Sequence, residues 1–246
     1  MDNLILSNEE NGVLTITLNR LSKKNALTSD MYLALCTLFE RARTSDDIRC
    51  LVIQGDANCF CAGNDLADFL NAKPDEEMAA FKFIQTLANF NKPIVAAVAG
   101  AAVGIGTTLL LHSDIVIAAE NSKFALPFTQ LGLCPEAASS MLIPNLVGHV
   151  KAFELLVLGE SFDANTALSL NLVNKVVNAE SLLICASEYA TKIAALPNDS
   201  VMTSRALLKQ ANSTLVKEAM ALEGDAFARL MQTPDCKAIL SKFLKK

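Results

Sequence analysis

Two periodicities alternate along the chain. Short apolar runs rich in β-branched residues occupy 12–19 (GVLTITLN), 48–55 (IRCLVIQG), 92–100 (KPIVAAVAG) and 113–120 (SDIVIAAE). Each has the length of a strand, and such unbroken hydrophobicity points to a well-buried sheet. Longer segments between them have helical spacing. In 28–43 (TSDMYLALCTLFERAR), Met31, Leu35, Leu38 and Phe39 share a face, and Thr28 or Ser29 offers an N-cap. A second such segment covers 75–90. Strands alternating with helices predict an α/β fold. From about residue 178 only the helical period remains, at 179–196, 199–212 and 214–232, with LPND at 196–199 as a hinge. An all-helical tail on an α/β core suggests docking or oligomerisation.

Composition narrows the class. The 246 residues are 52% hydrophobic and 19% charged, with a mean hydropathy of +0.33. That fits one large domain, or one domain with a small appendage, and leaves apolar surface to hide in an oligomer. The stretch 93–111 comes closest to a membrane span, but its glycines and threonines read as strand, turn and helix. The N-terminal sequence is neither a signal nor a transit peptide, and SKFLKK is no peroxisomal address, so a cytoplasmic setting is expected. The seven cysteines are scattered without a CxxC, and there are two histidines, so neither a metal site nor a disulfide framework is expected. The net charge of −5 lacks a basic stripe, which argues against nucleic acid as a partner.

Three stretches could carry chemistry. In FCAGNDL (60–66), Gly63 permits a sharp turn after a strand. In GAAVGIGTTLLLHSD (100–114), Gly100, Gly104 and Gly106 precede an apolar helix, but Leu109 stands where GxGxxG needs its third glycine. Each turn could offer one backbone N–H, and two such donors would make an oxyanion hole if they met. No GxSxG accompanies His112 or His149, which read as structural, as does Asp114. The third stretch is LGLCPEAASSMLIPNLVG (131–148), where Glu136 is the only charged residue between Lys123 and Lys151. A helix cap, a buried structural acid and a catalytic base are all open for it, since it follows Pro135 at what reads as a helix start.

These pieces together resemble the crotonase (enoyl-CoA hydratase/isomerase) superfamily over nearly the whole chain. The matching segments are KKNALT (23–28), FCAGNDL (60–66), KPIVAAVAGAAVGIG (92–106), SDIVIAAENSKFALPFTQLGL (113–133), PEAASSMLIPNLVG (135–148) and DANTALSLNLVNKVV (163–177). AGNDL, AVGIGTTLL and PFTQLGLCPEAASS look most like the peroxisomal-type Δ3,Δ2-enoyl-CoA isomerases. The resemblance implies a spiral of β-β-α units over 1–195 and a helical trimerisation region over 196–246. It implies an acyl-CoA thioester substrate, no separate cofactor, and a homotrimer or hexamer. It places the oxyanion hole at the N–H groups of Asn64 and Ile105. It places the CoA path along Ala62, Gly63, Asn64, Asp65 and Leu66, with Ala26 and Leu27 toward the adenine end, and Gly104, Thr108 and Phe128 beside the substrate. Lys245 or Lys246 would reach a CoA phosphate. The two glutamates of the hydratases fall on Thr108 and Phe128, whereas the glutamate of the isomerases falls on Glu136. The expectation is therefore an isomerase working through Glu136. Other crotonase chemistry, hydration included, and a non-catalytic acyl-CoA-binding protein are the alternatives.

Overall fold

The structure, a computed structural model, describes residues 4–70 and 78–243. The start of the helix expected at 75–90, and Lys245 and Lys246, lie outside the described residues. Strands β1 (Ile5–Glu10) and β2 (Val13–Leu18) form an antiparallel hairpin. Its two-residue turn, Asn11 and Gly12, has positive φ at both positions, which matches the twist of the flanking strands. Helix α1 (Ser29–Thr44) follows, and the Thr28 hydroxyl accepts from Met31 N–H, as the sequence offered.

The chain continues through β3 (Cys50–Gln54), α2 (Leu66–Leu70), α3 (Ala79–Ala88), β4 (Ile94–Val98), β5 (Ala101–Val103) and α4 (Ile105–Thr108). Next come β6 (Ile115–Ala119), β7 (Lys123–Ala125), α5 (Ser139–Val147), α6 (His149–Phe153), β8 (Phe162–Asp163), α7 (Ala164–Ser169) and β9 (Lys175–Val177). Helices α8 (Leu182–Ala194), α9 (Asn198–Gln210), α10 (Ser213–Met231) and α11 (Pro234–Phe243) close the described chain.

Two sheets result. The larger has the order β1-β2-β3-β4-β6-β9 and is parallel from β2 onward, while β5, β7 and β8 form the smaller. Each successive turn of chain thus leaves one strand in each sheet: β4 with β5, then β6 with β7. That is the expected β-β-α spiral. Gly100 makes the first crossing at φ 59, where a Cβ would lie 1.8 Å from Asn58 O. No other residue fits there.

Alternation along the strands covers both faces of the large sheet. Leu14, Ile16, Leu51, Ile53, Ala96 and Val98 pack with Leu35, Phe39, Phe83 and Leu87 of α1 and α3. The opposite set, Val52, Val95, Ala97 and Ile117, packs on Leu182, Ala186 and Ala190 of α8. A third cluster joins Phe128, Leu133 and Ile143 to Phe227 of α10 and to Cys236 and Leu240 of α11. The tail helices therefore fold back over the segment that carries Glu136. Residues 195–197 separate α8 from α9. No described helix is long and apolar enough to cross a membrane. All seven cysteines are free, and no group of three metal-ligating side chains occurs among the described residues.

Candidate active site

The two glycine turns meet. Beyond β3, Cys61 pairs in parallel with Ala102 of β5: Cys61 N–H donates to Ala101 O at 2.8 Å and Val103 N–H to Cys61 O at 2.9 Å. Past this pair the two segments stay close, with Gly63 against Val103 and Gly106 against Cys61. Two glycines allow this approach. A Cβ on Gly63, at φ 100, would lie 3.0 Å from Val103 O, and one on Gly106 would lie 2.4 Å from Cys61 O. On the other side, Leu27 N–H donates to Gly63 O at 2.8 Å and Asp65 N–H to Leu27 O at 2.9 Å. Asn64 N–H, between them, meets no backbone acceptor among the described residues. At the start of α4, Thr107 and Thr108 N–H both turn back to Gly104 O, at 2.8 and 2.9 Å. Ile105 N–H is left as one of the open donors of a first helical turn.

One turn along α4 from Ile105, the Thr108 hydroxyl donates to Glu136 Oε1 at 3.1 Å. Glu136 is 3% exposed. Burial raises its carboxyl to about 7; the Thr108 hydrogen bond works against this and the charge of Glu223 adds to it.

The helix-cap reading of Glu136 fails. Helix α5 begins only at Ser139, and Ala137 and Ala138, at φ 57 and 58, lie between. Both have left-handed backbone, and the Glu136 carboxyl accepts from Thr108 rather than from an N–H of α5. The acid that caps α5 comes from α10. Glu223 Oε2 accepts from Ala138 N–H at 2.6 Å, and Oε1 from Ser140 N–H at 2.8 Å. His112 is structural, as expected. Its Nε2–H donates to Ala137 O at 2.8 Å, and burial pushes its pKa down to about 4, so the ring is neutral near pH 7. Asp114 is structural too: Oδ2 accepts from Ile94 N–H and from Arg205 Nε, each at 2.8 Å.

Ala26, Leu27 and residues 62–66, also expected at the site, converge on one lip. The Leu27–Asn64 bridge joins the 26–27 segment to 62–66, and Ala62 N–H donates to Lys24 O at 2.9 Å. Arg20 clamps the lip, donating to Ala26 O at 2.8 Å and pairing with Asp65 at 2.7 Å. Asp65 is thus held within the protein, and Leu66 opens α2. Thr108 and Phe128 are both buried, and the Phe128 ring lies 4.0 Å from where a Gly104 Cβ would stand.

Two neighbours escaped the sequence reading. Tyr32 of α1 donates its hydroxyl to Asn64 Oδ1. Burial first, and then the Glu136 charge, hold that phenol well above its ordinary pKa, so it stays a donor. In the sequence Tyr32 is one more residue on the apolar side of an amphipathic helix. Glu223 is the second, and nothing in its surroundings (MALEGDAF) distinguishes it. From Glu136 a cleft of about 1030 Å³ runs between α3 and helices α9 and α10, its walls including Phe81, Ile84, Leu142 and Met220.

Residues 8–246 match the family model described as enoyl-CoA hydratase/isomerase. The 1,2-epoxyphenylacetyl-CoA isomerase of Escherichia coli (strain K12) is 33% identical over 100% of this chain and 97% of its own. Enoyl-CoA delta isomerase 2 of Rattus norvegicus is 37% identical over 84% of this chain and 54% of its own. Relatives of comparable identity carry hydratase names. The crystal structure of an enoyl-CoA hydratase/isomerase from Pseudoalteromonas atlantica T6c superposes with a TM-score of 0.94 at 36% identity, over 99% of this chain and 97% of that one. Fold, sequence and relatives agree: the chain belongs to the enoyl-CoA hydratase/isomerase family of the crotonase superfamily.

Proposed function

We propose that the chain is a Δ3,Δ2-enoyl-CoA isomerase that converts 3-enoyl-CoA to trans-2-enoyl-CoA in fatty-acid β-oxidation. The observation that carries this reading is the setting of Glu136. It is a buried carboxyl with a pKa of about 7 whose side-chain partner is the Thr108 hydroxyl. Hydration must place a water, add it at C3 and protonate C2, which suits a pair of carboxylates. Isomerisation moves only a proton. Glu136 takes a proton from C2, negative charge spreads to the thioester oxygen as a dienolate, and the same carboxyl returns the proton at C4.

A carboxylate with a pKa near 7 is a stronger base than an ordinary one and about half ionised at neutral pH. The N–H groups of Asn64 and Ile105 would hold the enolate oxygen, each donor worth roughly 3–4 kcal/mol in comparable sites. Tyr32 fixes the Asn64 side chain and so stiffens that half of the hole. The apolar walls of the cleft would take the acyl chain and keep water from the dienolate. Coenzyme A travels with the substrate, so no separate cofactor is needed. Leu207, Leu208 and Leu222 are 65%, 81% and 73% exposed on the tail helices, which supports assembly through that region as a trimer or hexamer.

The test supplies a 3-enoyl-CoA and, separately, a 2-enoyl-CoA, and follows absorbance of the conjugated thioester. The reading expects rapid conversion of the first and a loss of about 10³-fold or more in Glu136→Gln, with CoA-ester binding retained. Efficient hydration of the second, insensitive to Glu136→Gln, would instead establish a hydratase. Binding without turnover of either would establish a carrier.

A further inference from the structure

We propose that Glu223 is a positioning residue for Glu136: it locks the left-handed Ala137–Ala138 pair that aims the Glu136 carboxyl at Thr108. This rests on Glu136 being the base.

The geometry is specific. Glu223 is 7% exposed, and its two oxygens hold different N–H groups, Ala138 at 2.6 Å and Ser140 at 2.8 Å. Such charge-assisted bonds at a helix start are strong. They are needed here, because a residue with a Cβ prefers right-handed backbone by about 1–2 kcal/mol and two in succession resist the left-handed form. The pair is gripped from both sides: Ala137 O takes the His112 ring N–H, and Ala138 N–H goes to Glu223. Helix α10 cannot drift from this contact. One turn further on, Phe227 is 2% exposed and packs edge-on against Phe81 at 5.5 Å. Without the Glu223 carboxylate, two N–H groups lose their acceptor and the turn can relax toward right-handed backbone, carrying Glu136 off Thr108.

The charge has a second effect, since an acid near Glu136 favours its protonated form. The groups acting on Glu136 are Thr108 from α4 and Glu223 from α10. Tyr32 from α1, Cys61 and Cys134 lie within its field. Burial keeps these three protonated near pH 7, and His112 beside Ala137 is neutral. Arg205 and Lys209 line the same cleft. Burial is the largest cause of the raised Glu136 pKa and the Glu223 charge adds to it, so removing that charge lowers the pH at which Glu136 ionises.

The experiment measures kcat and KM for a 3-enoyl-CoA against pH in the full-length protein and in Glu223→Gln, Glu223→Asp and Glu136→Gln, with circular dichroism to check folding. In Glu223→Gln, kcat should fall about 10- to 100-fold with KM nearly unchanged. The acid limb of the profile should move to lower pH by roughly half to one unit. Glu223→Asp keeps the charge with a shorter reach, so it should lower kcat and leave the acid limb in place. An unmoved limb in folded Glu223→Gln, or wild-type kcat in either variant, overturns the proposal. If Glu223→Gln does not fold, Glu223→Asp decides by its kcat. Full activity in Glu136→Gln would overturn the base assignment itself, a separate failure.

Discussion

At Glu136, the burial that raises the carboxyl to about 7 acts on folding as well as on chemistry. The unfolded group titrates near 4.5, so between 4.5 and 7 the folded state holds the proton more tightly. Stability from this site is therefore greatest below the unfolded value and falls as pH rises through 7, by about 3 kcal/mol in all. Glu136→Gln removes a buried charge and keeps an acceptor for Thr108. It should raise the melting temperature at pH 8 and change it little at pH 5. A variant equally stable at both pH values relative to wild type would refute the raised pKa. Activity runs the other way. The base must be ionised, so kcat/KM should drop about tenfold per unit once pH falls well below 7.

The crossing of the two turns places the proposed oxyanion donors, and it depends on glycine at a contact rather than at a bend. Gly106→Ala would put a methyl 2.4 Å from Cys61 O, and only by parting the 61–64 and 102–105 segments can it be accommodated. We expect a fall in kcat of about 10²- to 10³-fold, the loss of a donor, with the fold retained by circular dichroism. Wild-type kcat would show that the donors do not come from these turns. At this scale the sequence was legible where elements are long. The runs at 12–19, 48–55, 92–100 and 113–120 became β2, β3, β4 and β6, each shortened by one or two residues at its ends, because apolar continuity and length suffice for buried parallel strands. Strands β5, β7 and β8, of three, three and two residues, are too short to show a period. The start of α5 was misplaced because nothing marks an alanine for left-handed backbone, and the constraint that imposes it comes from Glu223, far along the chain. Glu136 stood out as a lone acid in an apolar run, but its role, and Asn64 and Ile105, were reached by resemblance, since no local pattern shows that two turns so far apart in sequence will touch.

Across the whole molecule, the tail helices close the cleft against the spiral through a small polar clamp. Arg205 of α9 donates from Nε to Asp114 and from Nη1 to Phe90 O, at 2.8 Å each, and Lys209 Nζ donates to His112 O at 2.8 Å. Arg205→Met leaves Asp114 and Phe90 O without these donors. With Asp114 still 23% exposed, the cost should be about 2–3 kcal/mol, toward the low end for a broken buried pair, read as a lowered urea midpoint. An unchanged midpoint would mean that the Arg205 bonds add nothing to the hold on α9. The clamp, the cleft and the two turns bear on chemistry only through the claim that this site moves a proton and adds no water. The direct measurement is the mass of the product formed from a 3-enoyl-CoA in ¹⁸O-labelled water, with wild type and Glu136→Gln side by side. Proton transfer alone gives a conjugated product of unchanged mass from wild type and none from the variant. A product heavier by one labelled water, or turnover that survives Glu136→Gln, would contradict it.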